Sequence, residues 1–284
     1  MASDFLFDLL SPERLTHVVD VGANPIDGDP PYQRMLNSNL CEVTGFEPQA
    51  TALAALNAKK SDRETYLPYA IGDGSSRVLN ICQYSGWTSL LRPKVEALQV
   101  FSQFQKNAEV IDTQSIKTHR LDDIAELKSF DLLKIDIQGA ELDVFLNGVE
   151  RLKQAVAIQT EVSFIPLYNQ QPTFGQIDSA LRQMGFVPHC FNQVKHWPIG
   201  PIQFQPNAHH QFNQLLEADV VYVKDFIDPV EMTNEQLKHL CLLMHHCYGS
   251  IDLSGRCLEL LEQRGVIHGG VSRYVAHLNQ GRVL

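Results

Sequence analysis

The sequence predicts an α/β fold in which a mostly parallel, doubly wound sheet carries helices on both faces and a helical appendage at its C-terminal end. Two observations lead to this prediction. Strand-like and helix-like segments alternate through the first two-thirds of the chain, as repeated βα units do. The segment from about 231 to 284 then shows helical patterns and no strand pattern. We therefore divide the chain into a domain over 1–228 and a helical extension over 229–284.

Short apolar runs that end in glycine, proline or polar residues define seven strands of this sheet. Such runs are typical of parallel strands with both faces buried. The predicted strands are Thr16–Val21, Cys41–Phe46, Glu64–Ile71, Phe130–Ile137, Ala155–Phe164, Phe186–Phe191 and Val220–Lys224, with Leu79–Cys82 as an additional candidate. Helices are predicted between them at Pro30–Ser38, Pro48–Ala58, Ala140–Leu146 and Phe174–Met184.

Composition and charge exclude several classes of protein. The 284 residues are 44% hydrophobic and 20% charged, which excludes intrinsic disorder for the bulk of the chain. The 23 basic and 33 acidic residues give a formal net charge of −10, which favours a neutral or cationic small molecule over nucleic acid or an acidic membrane. No run approaches the ~18 uninterrupted apolar residues of a membrane span. Six scattered cysteines without a C-x-x-C pair, and an N-terminus without a basic export signal, predict a cytoplasmic location.

The junction after the first predicted strand carries the first candidate ligand-binding residues: Asp20, Gly22 and Asn24. Doubly wound sheets bind their ligands at the carboxyl ends of the strands. A pyrophosphate needs a G-x-G-x-x-G turn with free amide donors, whereas this junction has only Gly22 and Gly28 and is rich in proline. The junction therefore favours a zwitterionic ligand with a positive sulfonium over a polyphosphate. An ordinary strand-to-helix turn is the alternative.

Acidic residues also follow the second and third predicted strands. Glu47 lies 25 residues after Gly22, where an acid characteristically accepts hydrogen bonds from ribose hydroxyls. Gly72 and Asp73 follow the third strand, where an acid can meet the amino group of adenine. A surface turn is the alternative for Glu47, and Gly72 and Asp73 taken alone are more often a turn than a ligand site. Their relative positions favour an adenosine-type ligand.

Two carboxylates on central strands are the candidate catalytic residues. Asp136 ends the strand in DLLKIDIQGAEL, where alternation places Lys134, Asp136 and Gln138 on one side. Asp136 could hold a ligand amino group, orient a substrate or act as a base. Glu161 is a charge inside the apolar run QTEVSF, and a buried carboxylate is costly unless it is paired, protonated or functional. We predict that it is the second acid of the site.

Other prominent residues are interpreted as structural. Glu141 lies in the first turn of a helix and complements the helix dipole. The segment His239–Cys247 has no C-x-x-C or H-x-x-x-H pair, which favours a packed or dimerising helix over a zinc site. Trp87 is interpreted as a core residue, with a cation–π contact to the ligand as the alternative. His209 and His210 belong to a polar loop that either touches substrate or is solvated. We predict no metal ion.

The ordered set of motifs in residues 18–165 resembles the FkbM family of class I S-adenosylmethionine-dependent methyltransferases. The motifs are VVDVGAN, GFEP, YAIGDG, THRLDDI, DLLKIDIQGAE and the glutamate of QTEVSF. The resemblance implies a Rossmann-like fold and S-adenosylmethionine as cofactor. It implies that Asp20, Gly22 and Asn24 line the methionyl pocket. It also implies that Glu47 contacts the ribose and that Gly72 and Asp73 lie beside the adenine. Asp136 and Glu161 would lie near the transferred methyl group, with His119 as a third candidate base.

The chain departs from the family pattern at two positions. The second glycine of D-V-G-A-N-x-G is displaced to Gly28, which lengthens the rim of the pocket. Gln138 replaces the usual glutamate of D-x-E-G, which removes a negative charge beside the reaction centre. The family's known members are generally O-methyltransferases acting on secondary metabolites or glycans. The resemblance therefore implies in-line SN2 methylation of a small-molecule or glycan hydroxyl.

Two other functions are compatible with the sequence. One is a non-catalytic protein that binds an adenosyl ligand or acts as a scaffold through its helical tail. The other is an NAD(P)-dependent oxidoreductase of Rossmann type, which the missing phosphate glycines disfavour. A homodimer that forms through the C-terminal helices is a further expectation.

Overall fold

The computed structural model describes residues 4–24, 28–202 and 212–281. Within these residues, ten strands form two sheets. The strands are β1 (Thr16–Val21), β2 (Cys41–Phe46), β3 (Glu64–Leu67), β4 (Ala70–Ile71), β5 (Ser76–Cys82), β6 (Val110–His119), β7 (Leu132–Ile135), β8 (Ala157–Ser163), β9 (Phe186–His196) and β10 (Leu215–Lys224). The helices are α1 (Phe5–Leu10), α2 (Gln33–Asn37), α3 (Ala50–Lys59), α4 (Val95–Val100), α5 (Glu141–Leu146), α6 (Val149–Leu152), α7 (Phe174–Gln183), α8 (Asn234–Tyr248), α9 (Ile251–Gln263) and α10 (Gly270–Gly281).

The central sheet has seven strands in the order β3-β2-β1-β7-β8-β10-β9. Strands β3, β2, β1, β7 and β8 pair in parallel, whereas β10 is antiparallel to both β8 and β9. This arrangement confirms the predicted Rossmann-like α/β fold with a mostly parallel, seven-stranded sheet. Strands β1 and β2 have the predicted bounds because each is a short apolar run with a clear end.

A smaller sheet in the order β4-β6-β5 lies beside the central one. The predicted strand Glu64–Ile71 is divided between the two sheets, and Pro68, which has no amide donor, lies at the division. Strand β6 was not predicted from the sequence. Most of its side chains are exposed, so the strand lacks the apolar pattern on which strand prediction depends.

The C-terminal helices form one of the two layers that cover the central sheet. Helix α8 begins with a capping box between Thr233 and Gln236 and ends at Gly249, whose φ is 61°. Its apolar side chains join one hydrophobic core with residues of β1, β7, β8 and β10. The face of α8 that we assigned to packing or dimerisation therefore packs within the chain. None of the described helices combines the length and apolarity that a bilayer crossing requires.

An ion pair between the half-exposed Arg14 and the buried Asp131 joins the start of β1 to the start of β7. The guanidinium of Arg14 donates to both carboxylate oxygens of Asp131, at 2.6 and 2.9 Å. The amide of His17 donates to the same carboxylate at 2.8 Å, and Asp131 is only 1% exposed. These bonds hold the amino-terminal ends of β1 and β7 together and thereby fix the register of these two strands.

We expect Asp131→Ala to lower the free energy of unfolding by about 2–4 kcal/mol, because the amide of His17 and the guanidinium of Arg14 would both lose their acceptor. Urea unfolding measures this change. The exposed Asp62 makes no side-chain hydrogen bond within the described residues, so Asp62→Ala is the control and should change stability by less than about 0.5 kcal/mol. Equal stabilities of the two variants would contradict the prediction.

Candidate active site

A cavity of about 220 Å³ opens at the carboxyl ends of the central strands. The ends of parallel strands meet at one edge of a sheet, so side chains that follow different strands converge there. Five of the predicted site residues line the cavity: Gly22, Asn24, Glu47, Asp136 and Glu161. The structure thus brings together residues that lie as much as 139 positions apart in the sequence.

Gly22 allows the loop after β1 to pack directly against the end of β7. A Cβ atom at this position would lie 2.0 Å from the carbonyl oxygen of Asp136, and Gly22 has a φ of +80°. The amide of Asp136 in turn donates to the carbonyl of Val21 at 3.0 Å. Only glycine permits this contact, which fixes the position of Asp136 relative to the first loop.

Asp20 lies behind this loop and does not line the first cavity. Its side chain is 2% exposed, and Oδ2 accepts a hydrogen bond of 2.6 Å from the hydroxyl of Tyr32. The ammonium of Lys134 lies 3.3 Å from Oδ1. Burial opposes the charge of Lys134, but Asp20 and Asp136 outweigh that effect and raise its pKa. Asp20 instead lines a second cavity on the same side of the sheet.

Glu47 is the residue that we predicted as the ribose contact. It is 2% exposed and lines the cavity at the end of β2. Its Oε1 accepts a hydrogen bond of 2.7 Å from the amide of Gln49, and within the described residues its Oε2 accepts none. Burial raises the pKa of Glu47. One carboxylate oxygen is therefore available to a ligand hydroxyl.

Gly72 and Asp73, which we predicted beside the adenine, do not line the cavity. Asp73 accepts hydrogen bonds from the amide of Ser75 at 2.8 Å, the hydroxyl of Ser75 at 2.6 Å and the guanidinium of Arg77 at 2.9 Å. The hydrogen bonds from Ser75 lower the pKa of Asp73 to about 2. Tyr69, Ala70 and Ile71 line the cavity in their place. The geometry gives the predicted adenine contact no support at these two residues.

Gln138 bridges the two candidate catalytic carboxylates. Its amide nitrogen donates to Asp136 Oδ1 at 2.7 Å and lies 3.5 Å from Glu161 Oε2. Its amide oxygen accepts a hydrogen bond of 3.2 Å from the hydroxyl of Tyr168. A glutamate here would add a third negative charge beside the other two. The uncharged amide instead donates a hydrogen bond, so this departure from the family pattern has a clear electrostatic role.

Lys195 and Glu217 complete the site and were missed by the sequence analysis. The ammonium of Lys195 lies 3.3 Å from Glu161 Oε1 and 2.8 Å from Glu217 Oε1. Burial, together with Glu217 and Asp136, raises the pKa of Glu161, while Lys195 opposes that rise. The missed signal was the alternation in LLEADVVYV, which places Glu217 and Asp219 on one face of a strand that begins earlier than predicted.

Glu141 lies in the first turn of α5 and also accepts hydrogen bonds from the loop that precedes this helix. Its Oε1 accepts hydrogen bonds of 3.0 Å from the amides of both Ile137 and Gly139. Burial raises the pKa of this carboxyl to about 7. These bonds hold the loop that carries Asp136 and Gln138.

The other residues considered in the sequence have different positions. Trp87 lines the cavity, and its ring packs against those of Phe104 and Tyr168, with centroids 5.2 and 5.6 Å away. His119 packs against Tyr69 outside the cavity wall. His209 and His210 lie outside the described residues. Across residues 4–24, 28–202 and 212–281, no group of three or more His, Cys, Asp or Glu side chains has the geometry of a metal site.

The strand order and the cavity at the strand ends define a class I, Rossmann-like methyltransferase fold. The family model described as the methyltransferase FkbM domain matches residues 20–188, which is more than half of the chain. The chain therefore belongs to the FkbM methyltransferase family, and the cofactor is S-adenosylmethionine.

Known proteins similar to this chain include a curated relative and several solved structures. The 2-O-methyltransferase NoeI of Sinorhizobium fredii (strain NBRC 101917 / NGR234) is 30% identical over 169 residues, which cover 54% of this chain and 66% of that protein, just under two thirds of its length. A putative S-adenosylmethionine-dependent methyltransferase from Listeria monocytogenes has a TM-score of 0.40 at 11% identity, covering 78% of this chain and 95% of the other. Magnesium protoporphyrin IX methyltransferase from Synechocystis PCC 6803, with bound SAM, has a TM-score of 0.38 at 9% identity, covering 78% and 76%.

The chemistry of the cavity wall fits the cofactor. The free oxygen of Glu47 can accept a ribose hydroxyl, and Phe46, Ile71 and Leu79 supply apolar surface for an adenine ring. Asn24 and Asp136 line the same cavity and would be polar partners for a methionyl group. The wall therefore offers both the apolar and the polar groups that this cofactor requires.

We expect Glu47→Ala to weaken binding of S-adenosylhomocysteine by about 1.5–3 kcal/mol, because a charged hydrogen bond to the ribose would be lost. Isothermal titration calorimetry measures the affinity. Glu42→Ala removes an exposed glutamate of the same strand and should leave the affinity unchanged. Equal affinities of the Glu47 variant and the wild type would refute the ribose contact.

Proposed function

We propose that this chain transfers the methyl group of S-adenosylmethionine to a hydroxyl of a small molecule or glycan. The observation that carries the proposal is the pair of carboxylates, Asp136 and Glu161, that Gln138 bridges on the wall of the cofactor cavity. The name of the similar protein NoeI, a 2-O-methyltransferase, supports oxygen as the accepting atom.

The cavity residues have separate tasks in this reaction. S-adenosylmethionine supplies a methyl group made electrophilic by its positive sulfur. Asp136, held by Gln138, orients the acceptor hydroxyl. As the acceptor oxygen bonds to the methyl carbon, the bond from that carbon to sulfur breaks, and the hydroxyl proton passes to Glu161. The products are a methyl ether, a neutral thioether and a protonated carboxyl group.

We assign the base to Glu161 because its surroundings increase its basicity. Burial and the neighbouring acids favour its protonated form, whereas Lys195 keeps the ionised form accessible. A raised pKa makes a carboxylate a stronger proton acceptor, and such catalysis typically contributes about 10²–10⁴-fold in rate. Asp136, which accepts the 2.7 Å hydrogen bond from Gln138, is assigned the orienting role instead.

We expect Glu161→Gln to lower turnover by about 10²–10⁴-fold. Asp136→Asn should also lower turnover. The asparagine side chain has a single oxygen, which cannot both accept the hydrogen bond from Gln138 and orient the acceptor hydroxyl. Release of S-adenosylhomocysteine, with a panel of methyl glycosides as acceptors, measures the rate. The control is the affinity of Glu161→Gln for S-adenosylhomocysteine. Calorimetry measures it, and it should be retained. Full turnover in both variants would show that neither carboxylate takes part.

The rate should also depend on pH in a way that reports Glu161. The base must be ionised, so a raised pKa means that kcat/KM increases with pH above the ordinary glutamate range and then levels off. Lys195→Met removes the charge that lowers this pKa, so the rise should move to higher pH. A pH profile of each protein tests this. Superimposable profiles would exclude Glu161 as the titrating base.

A further inference from the structure

One face of the central sheet changes from apolar to polar along its strands. Near α8 this face presents Val18, Leu132, Ala157 and Val223, which are all buried in the hydrophobic core. Two residues further along, toward the carboxyl ends of β1 and β7, the same face presents Asp20 and Lys134, and β8 presents Gln159 and then Glu161. Strand β10 runs in the opposite direction, so Asp219 and Glu217, which lie near its beginning, are at this same end of the sheet.

The strand register aligns these polar residues in rows across the sheet. Asp20 pairs with Lys134, and Lys134 pairs with Gln159. In the next row, Asp219 lies between Glu161 and Gln193. Neighbouring strands are about 4.8 Å apart, so each row offers hydrogen-bonding groups at regular intervals. We call the residues Asp20, Lys134, Gln159, Glu161, Asp219 and Gln193 the polar floor.

The polar floor lines a second cavity of about 250 Å³. This cavity shares four wall residues with the cofactor cavity: Asn24, Asp136, Glu161 and Lys195. Its exposed rim is formed by Gly28 and Asp29 on one side and by Asn192 and Gln193 on the other. A molecule entering from this rim would meet the proposed catalytic carboxylates at its inner end.

Several groups of the polar floor have unused hydrogen-bonding capacity. Within residues 4–24, 28–202 and 212–281, the carboxylate of Asp219 makes no hydrogen bond, and Gln159 uses only its oxygen, which accepts from Tyr248 at 3.1 Å. Asp20 Oδ1 is buried and has only the ammonium of Lys134, 3.3 Å away, as a partner. Such groups are costly unless water or a ligand satisfies them, so the cavity is suited to a ligand with several hydroxyls.

The charge of the cavity restricts that ligand further. Its wall contains five acidic residues, Asp20, Asp29, Asp136, Glu161 and Asp219, but only two lysines, Lys134 and Lys195. Both lysines are already paired with acids. Among the described residues of this wall, a phosphate or carboxylate on the ligand would find no free cation and would be repelled.

We propose that the second cavity binds the methyl acceptor, and that this acceptor is a polyhydroxylated, sugar-like molecule without negative charge. This inference rests on the proposed function, because it assigns the second substrate of the same reaction. Carboxylates of the polar floor accept from the sugar hydroxyls, and the amides of Gln159 and Gln193 donate to them. The hydroxyl that reaches Glu161 is the one methylated.

The proposal can be tested by binding, without turnover. Three probes of matched size are titrated by NMR into the full chain saturated with S-adenosylhomocysteine: methyl glucoside, methyl glucosaminide and methyl glucuronide. The neutral and the cationic glycoside should bind, and the anionic glucuronide should not. Asp219→Leu should weaken glycoside binding by at least about fivefold, because its hydrogen bonds to the ligand are lost. Asp62→Leu, at an exposed site, should not.

The two proposals fail in different ways in this experiment. Glucuronide binding as tight as glucoside binding, or glycoside binding unaffected by Asp219→Leu, would overturn the acceptor assignment. Weaker S-adenosylhomocysteine binding in Asp219→Leu would also overturn it, by assigning the cavity to the cofactor. Gln193→Trp, which narrows the exposed rim, is the second variant and should also reduce glycoside affinity. If the wild-type chain binds no S-adenosylhomocysteine, the proposed function fails, while glycoside titration alone still tests the cavity.

Discussion

The carboxyl edge of the sheet depends on the control of like charges. Asp136, Glu161 and Glu217 converge there, and carboxylates a few ångströms apart in a partly dry site repel each other strongly. The ammonium of Lys195 lies between two of them, and the amide of Gln138 bridges the third to Glu161. Without these donors the acids would have to separate or take up protons. The site can therefore hold a basic carboxylate next to a positively charged methyl donor.

Strand direction makes this arrangement possible. Because β10 is antiparallel to β8, it brings Glu217 to the same edge as Glu161, and β9 then brings Lys195 beside it. A further parallel strand in the place of β10 would present its first residues at the opposite edge. The reversed strand is thus part of the site as well as of the fold, and it connects the cofactor cavity to the second cavity.

The helical C-terminal segment covers the apolar part of one face of the central sheet. The last turn of helix α8 places Cys247 at the wall of the second cavity. The hydroxyl of Tyr248 donates to Gln159 at the same boundary. The change from apolar to polar side chains on this face therefore coincides with the wall of the second cavity. The segment is a structural layer of the domain that also delimits a candidate binding site.

The sequence by itself determined the local elements and the residues that lie directly at strand ends. Apolar runs gave β1 and β2 with their bounds, and Glu47, Asp136 and Glu161 were predicted because strand position and alternation are local properties. Only the tertiary structure decided which strands are neighbours, because pairing depends on contacts between distant segments. It therefore revealed Lys195 and Glu217 as partners of Glu161 and placed Asp20 on a second cavity. It also showed that the carboxylate of Asp73 is occupied by hydrogen bonds from Ser75, Arg77 and Thr118, the last of which lies on β6.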